Sequence, residues 1–417
     1  MGEGADQDRR TASVTRGTAG PARCDPSCTL EPEVTRGDGA ARQVAADTEL
    51  MDRALARGET ARRRTAPNPW VGAVVVRDGE IVGQGATQPP GGHHAEVEAL
   101  RDAGDRARGA TVFTTLEPCA HHGRTGPCVL ALAEAGITRV VVALEDPDPQ
   151  VAGRGVGQLR ELGIRVDVGV GAEAAARSLA PYLLHRRAGR AFTVVKTAMS
   201  LDGRIAARDG SSQWITGAAS RADAHRLRAD SQAIVIGAGT ALADRPRLTV
   251  RDADGPVHTQ PLRVLLDATG RVPATGPLFD ADLAPTLVVT TEQAPDAAQR
   301  GWLAAGAKVL TVPPAATGAG VDLAATLEVL AGLGVLQALV EGGAALSGSL
   351  LDDGLADRLV TYVAPTVLGR DGRPALDLAG PARIADAPRW RLVDVARVGT
   401  DVRLDYEPPA PAAEGGA

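Results

Sequence analysis

The order of hydrophobic and polar residues divides the chain into two folded stretches between two tails. Residues 1–46 are rich in Gly, Ala, Arg, Asp and Thr without any period, which predicts a disordered tail. A helix is predicted over 47–57. Thr65-Ala66-Pro67-Asn68-Pro69 then reads as a loop, because each proline drives the preceding residue out of the helical region. Residues 71–76 and 80–84 are β-rich runs on either side of Arg77-Asp78-Gly79, a hairpin signal. Strands and helices alternate from there: helix 94–102, strand 111–115, helix 128–135, strands 139–144 and 164–168, and a helical stretch over 172–187. Residues 146–149 and the Gly-rich 151–157 read as loop, and Ala188-Gly189-Arg190 as a linker, so the first domain is expected to span 47–190.

The second stretch, 191–407, begins on a fresh strand over 192–197. Short apolar strands follow at 233–236, 262–266, 286–289, 309–312 and 338–340, with helices at 220–228, 322–332 and 344–351. Residues 391–398 and 401–406 around Gly399-Thr400 predict a closing hairpin, and 408–417 is a loose Pro, Ala and Gly tail. Alternating strands and helices place both domains in the α/β class.

Candidate chemistry concentrates between His94 and Cys128. His94-Ala95-Glu96 opens a helix, and Glu117-Pro118-Cys119 and Cys128 follow. One imidazole and two thiolates suit Zn²⁺ and leave a fourth tetrahedral position for water, with Glu96 placed to move that water's proton. A His-x-Glu followed downstream by Pro-Cys is the signature of zinc-dependent deaminases, with the Glu not a ligand. Three unrelated packing residues is the competing reading, and the combined spacing disfavours it. Two ligands at helix starts would also gain from the exposed N–H groups there, which favour thiolate over thiol.

In the second domain, two strands run into glycine turns, Gly237-Ala238-Gly239-Thr240 and Glu341-Gly342-Gly343-Ala344. Such turns let backbone N–H groups approach a phosphate, although each read singly is no more than a tight turn. Together they suggest a dinucleotide. Arg62-Arg63-Arg64 is a short basic patch, either solvated or near a phosphate.

Composition narrows the partners. A net charge of -6 and an aromatic content of 2% give no reason to expect nucleic acid. No apolar run approaches the length of a membrane span, and the first 45 residues lack a signal-peptide core, so a reducing cytoplasm is expected. Of the 4 cysteines, Cys24 and Cys28 read as free thiols of the tail or, with partners from elsewhere, as a second metal site.

With Lys196-Thr-Ala-Met-Ser-Leu-Asp-Gly-Arg204, Trp214-Ile215-Thr216 and Glu341-Gly342-Gly343 added to the zinc signature, residues 47–406 resemble the bifunctional pyrimidine deaminase/reductase family of riboflavin biosynthesis. Pro67-Asn68-Pro69-Trp70-Val71-Gly72 and Gly123-Arg124-Thr125 carry the likeness in the first half. Arg228-Ala229, Gly239-Thr240, Ala243-Asp244 and Leu248-Thr249-Val250-Arg251 carry it in the second. The resemblance implies a cytidine-deaminase-like three-layer domain followed by a dihydrofolate-reductase-like α/β domain. It also implies Zn²⁺ and NADPH as cofactors and phosphoribosyl pyrimidines as substrates. By position, Ser212, Arg228, Leu248, Arg251 and Glu341 correspond to substrate contacts. Ala198, Trp214, Thr216, Thr240, Asp244 and the turn Gly342, Gly343 and Ala344 correspond to NADPH contacts. Arg228 and Arg251 suit a sugar phosphate. Lys196 reads as a polar group near the reacting sugar or as a solvated strand lysine, and Trp214 as a ring packed on the cofactor or as core. Self-association into a homo-oligomer is left open.

Three differences from the family pattern stand out. Arg245 replaces an acidic or amide residue, Gly126 a proline, and Thr87-Gln88 occupy the place of a histidine. Besides the two-step enzyme, two other readings remain: a nucleic-acid deaminase, disfavoured by charge, and a non-catalytic zinc scaffold with four protein ligands.

Overall fold

The computed structural model describes residues 36–121, 126–251 and 259–409, with backbone only for 36–42. The expected tails over 1–35 and 410–417, Cys24, Cys28 and the Gly123-Arg124-Thr125 motif lie outside the described residues. Residues 45–417 form one compact unit.

The first domain runs α1 (Arg36–Glu59), β1 (Gly72–Arg77), β2 (Glu80–Ala86), α2 (Ala95–Ala103), β3 (Thr111–Thr114) and α3 (Cys128–Glu134). It continues with β4 (Arg139–Val142), α4 (Arg154–Glu161), β5 (Arg165–Val168), α5 (Ala172–Ser178) and α6 (Ala180–Ala188). Positive φ at Asp78 (52°) and Gly79 (81°) makes the β1–β2 connection a two-residue turn whose twist matches its strands. The sheet order is β2-β1-β3-β4-β5, antiparallel at β1 and parallel from β3 onward. Alternation along β1 builds three layers. Val74 and Val76 pack with Met51 and Ala54 of α1 and Ala175 of α5, whereas Ala73 and Val75 face the cluster holding Ala99, Val129 and Leu159 of α2, α3 and α4.

Several boundaries differ from expectation. The first helix starts at Arg36 rather than 47, because Gly37 and Gly39 mask the helix formers that follow. Helix α4 occupies part of the expected 151–157 loop: its glycines read as loop, but Val156 and Leu159 give it a buried face. The expected helix over 172–187 is two helices meeting at Leu179, with Pro181 in the first turn of the second.

The second domain runs β6 (Phe192–Ser200), β7 (Arg204–Ala206), α7 (Ala218–Ala229), β8 (Ala233–Gly237), α8 (Ala238–Asp244), β9 (Leu262–Leu266) and β10 (Thr286–Thr290). It continues α9 (Asp296–Ala304), β11 (Lys308–Thr311), α10 (Leu323–Gly332), β12 (Gln337–Val340), α11 (Ala344–Asp352), β13 (Arg358–Ala364), β14 (Arg373–Pro374), β15 (Arg391–Val398) and β16 (Asp401–Glu407). Nine strands form one sheet in the order β11-β10-β9-β8-β12-β6-β13-β16-β15, parallel from β11 to β13 and closed by the expected hairpin. The hydropathy pattern missed β7, α8, α9, β13 and β14. Buried parallel strands such as β13 carry polar residues at their ends and show no clean alternation.

The basic patch has a structural use. Arg62 Nη2 donates to Gln337 Oε1 at 3.0 Å while its guanidinium lies 4.7 Å from the Trp70 ring centre, and Arg63 pairs with Asp230 at 2.6 Å. Leu336 of the second domain completes the larger core cluster of the first. These contacts join the loop after α1 to the entry of β12 and the exit of α7.

Candidate active sites

The first site is set by how closely α2 lies on β2. A Cβ at Gly85 would stand 2.1 Å from the Ala95 carbonyl, and one at Gly83 2.3 Å from that of Ala99, so only glycines allow the approach. The N-terminus of α2 is thereby fixed, with His94 in extended geometry before it and Glu96 buried in its first turn. Cys119 follows β3, and Cys128 is the first residue of α3. His94 Nδ1 lies 3.4 Å from Cys119 Sγ and 3.3 Å from Cys128 Sγ, and all three donor atoms fall within 4.8 Å of one another. A tetrahedral zinc with bonds of about 2.0–2.3 Å needs donor separations of roughly 3.5–4 Å. The set therefore fits one soft divalent ion, and among the described residues it comprises three donors.

The electrostatics divide the ligand set: Cys119 is held ready as a thiolate, whereas His94 and Cys128 must give up protons when a metal binds. The Cys119 thiol is held down at about 4, first by its hydrogen bond with Cys128 and then by that with His94, against the effect of burial. Cys128 is correspondingly raised by its hydrogen bond with Cys119 and by burial. His94 is raised to about 9 by its bond to Cys119. Burial pushes Glu96 up to about 7, opposed by the charge of His94, and its carboxyl is hydrogen-bonded to Cys128. A carboxyl titrating near neutrality beside the ligand set can both take and give a proton.

The second site is a cavity of about 1830 Å³ in the second domain, and all fourteen expected substrate and cofactor residues line it. Lys196 and Ala198 reach it from β6, and Ser212, Trp214 and Thr216 from the segment before α7. Thr240 and Asp244 belong to α8, and Leu248 and Arg251 to the segment after it. Glu341, Gly342, Gly343 and Ala344 form the turn from β12 into α11. The neighbouring strands β8 and β12 bring both glycine turns together: a Cβ at Gly343 would lie 3.6 Å from Thr240 Oγ1. Exposed backbone N–H groups at the start of α11 suit a pyrophosphate, and the hollow has room for a dinucleotide beside a sugar phosphate.

Four side chains have surroundings that their types did not reveal. Arg228 is committed to Glu341 through two bonds of 2.6 and 2.7 Å and donates to the Thr249 carbonyl at 3.0 Å. Its guanidinium therefore orients Glu341 before it meets any phosphate. Burial would raise the Glu341 carboxyl, but the charge and hydrogen bonds of Arg228, with Lys196 adding, hold it down at about 2. Trp214 is 70% exposed and stacks on Arg221 at 4.5 Å, which removes the core reading. Arg245 does not line the cavity; its guanidinium packs over Gly276. Thr87, in the place of the family histidine, is buried and accepts the Val71 N–H at 3.1 Å.

Lys196 is half-buried in the cavity wall, with Nζ 5.9 Å from the centre of the Tyr362 ring, and burial lowers its pKa. Sequence reasoning missed Tyr362, Arg221 and Asp223. Tyr362 donates to Asp223 Oδ2 at 2.7 Å, and Arg403 Nη1 reaches the same oxygen at 2.9 Å, a network assembled from residues far apart in the chain.

Two family models match in chain order. One, described as the cytidine and deoxycytidylate deaminase zinc-binding region, covers residues 44–144; the other, the RibD C-terminal domain, covers 191–404. The riboflavin biosynthesis protein RibD of Escherichia coli K12 is 40% identical over 368 residues, 86% of this chain and 98% of its own length. The chain belongs to the RibD family. RibD of Chlamydia trachomatis is 43% identical over 88% of this chain and 97% of its own. A solved RibD structure from Acinetobacter baumannii superposes with a TM-score of 0.79 at 37% identity, covering 88% of this chain and all of that one. The deaminase/reductase of Thermotoga maritima superposes with a TM-score of 0.77 at 31% identity, with 88% and 99% covered. As a RibD family member the chain is a bifunctional deaminase and reductase of riboflavin biosynthesis, with zinc in its first domain and NADPH in its second. Its substrates are small phosphoribosyl pyrimidines.

Proposed function

We propose that His94, Cys119 and Cys128 hold the zinc and that Glu96 moves the proton in deamination of 2,5-diamino-6-(5-phosphoribosylamino)pyrimidin-4(3H)-one. The carrying observation is the gathering of three soft donors beside a buried carboxyl tuned to about 7. Bound zinc supplies Lewis acidity and an acidified water at neutral pH. Glu96 takes the proton of the attacking water as a C–O bond forms at the ring carbon. It then returns that proton to the amine as the C–N bond breaks and ammonia leaves.

The deaminated product is then reduced at its ribosyl C1 in the second domain, for which bound NADPH supplies the hydride. Lys196, its charge disfavoured by burial, is the polar group at the reacting sugar, and Glu341, oriented by Arg228, stands across from it. Arg251, exposed on the cavity wall, meets the phosphate, and Ser212 and Leu248 of the same wall are further substrate contacts. Ala198, Trp214, Thr216, Thr240, Asp244, Gly342, Gly343 and Ala344 hold the dinucleotide.

The same reading assigns residues 47–190 to deamination and 191–407 to reduction, places the enzyme in the cytoplasm and excludes nucleic acid as a partner. No helix among the described residues is long and apolar enough to cross a membrane. Self-association into a homo-oligomer also belongs to it; the outer strand β15, with Leu392 and Val395 exposed, offers an edge, and light scattering tests it. Incubation with the diaminopyrimidine phosphate tests the chemistry. Ammonia and the uracil product are expected without NADPH, and the ribityl product once NADPH is added. Zinc-loaded protein that releases no ammonia would refute the assignment.

A further inference from the structure

Behind Cys119 stands a second buried carboxylate, unused in the chemistry above. Glu117 follows β3 two residues before the ligand and is 4% exposed. Its Oε2 accepts the N–H groups of Asp146 at 3.1 Å and Gly153 at 2.9 Å, and its Oε1 accepts that of Val156 at 3.0 Å. Its own N–H donates to the Leu144 carbonyl at 2.9 Å. One side chain thus gathers backbone donors along residues 146–156, from the exit of β4 to the first turn of α4. That turn also abuts the ligand loop directly, since a Cβ at Gly155 would stand 2.0 Å from the Pro118 carbonyl. The far side of the gathered segment is held separately, where the Tyr182 hydroxyl donates to Asp146 Oδ2 at 3.0 Å.

We propose that Glu117 is the positioning residue of the metal loop. By tying residues 146–156 to 117–119 it fixes the Pro118–Cys119 backbone, and with it the place of the Cys119 sulfur, before a metal arrives. A carboxylate is required because three N–H groups converge on both of its oxygens. An amide would turn an NH₂ group against at least one of them and leave that buried donor unpaired. The idea rests on the zinc assignment above, and it concerns how the ligand is held rather than which residues ligate. Groups that orient metal ligands typically change metal affinity by about 10–100-fold when altered.

The test uses the full chain and two probes: Zn²⁺ affinity by competition with a chromophoric chelator, and the ligand-field spectrum of the Co²⁺-substituted protein. Far-UV circular dichroism and thermal unfolding report that each variant is folded. Glu117→Gln is expected to weaken zinc by about 10–100-fold and to alter the Co²⁺ bands. Tyr182→Phe, which loosens only the far side of the segment, is expected to leave both readouts at the unaltered values. Gly155→Ala, which drives α4 off Pro118 with Glu117 intact, is expected to weaken zinc as Glu117→Gln does, and it serves if Glu117→Gln does not accumulate as folded protein. Unaltered affinity and spectrum in Glu117→Gln would overturn the proposal. Equal weakening in Tyr182→Phe would also overturn it, by making general loop rigidity the cause. An unaltered chain that binds no zinc would instead defeat the metal site itself, and the proposal with it.

Discussion

Glu96 is a buried carboxyl and Glu341 a half-buried one, and their surroundings drive them in opposite directions. Beside the zinc set burial prevails and Glu96 rises to about 7; beside Arg228 the guanidinium prevails and Glu341 falls to about 2. Glu96→Gln keeps the volume and removes the proposed proton carrier. Deamination should fall by about 10²-fold or more while bound zinc, read by metal analysis, and reductase turnover persist. Glu341→Gln leaves Arg228 with a buried, unpaired charge, and should destabilise the protein at pH 7 by on the order of 3 kcal/mol in denaturant unfolding. Because folding depresses the Glu341 pKa, its stabilising contribution is full above the ordinary 4.5 and is lost as pH falls towards about 2. The gap between variant and parent should therefore close over that acid range. A gap that stayed constant would show that the carboxylate's charge is not what matters.

At the scale of elements, the metal site depends on helix α2 lying flush against β2. Gly85→Val would put a side chain into the Ala95 carbonyl, and α2 would have to lift off β2 to admit it. A loss of about 2 kcal/mol is expected from such overpacking, together with weakened zinc binding and deamination but an unchanged KM for NADPH. Thermal unfolding and metal analysis check it. Much at this scale was readable in the sequence: the β1–β2 hairpin, the strand before Cys119, the helix opened by Cys128 and the final hairpin all carry strong local signals. Helix α4 was not readable, because Gly153, Gly155 and Gly157 imitate a loop until a packed neighbour gives their backbone a reason to coil.

For the whole molecule, the two sites draw on separate residues although the domains share a seam at Arg62, Arg63 and Leu336. Stripping zinc with a chelator should abolish ammonia release and leave NADPH oxidation on the deaminated substrate within about twofold of its original rate. Loss of both activities together would mean that the metal supports the second domain through that seam. The seam also explains the basic patch, which composition alone could not assign.

Local chemistry decided what could be learned without coordinates. Ligand type, proton carrier and glycine turn are properties of short segments, so the His94, Cys119 and Cys128 set, Glu96 as the proposed proton carrier and the Glu341-Gly342-Gly343 turn could be singled out there, and the α/β class could be read outright. Pairings across long loops did not. That Arg228 spends its guanidinium on Glu341, that Trp214 faces out, that Arg245 turns onto Gly276 and that Glu117 collects three distant N–H groups are outcomes of packing. Which charges meet depends on where the sheets bring separate segments together, and no local pattern encodes that.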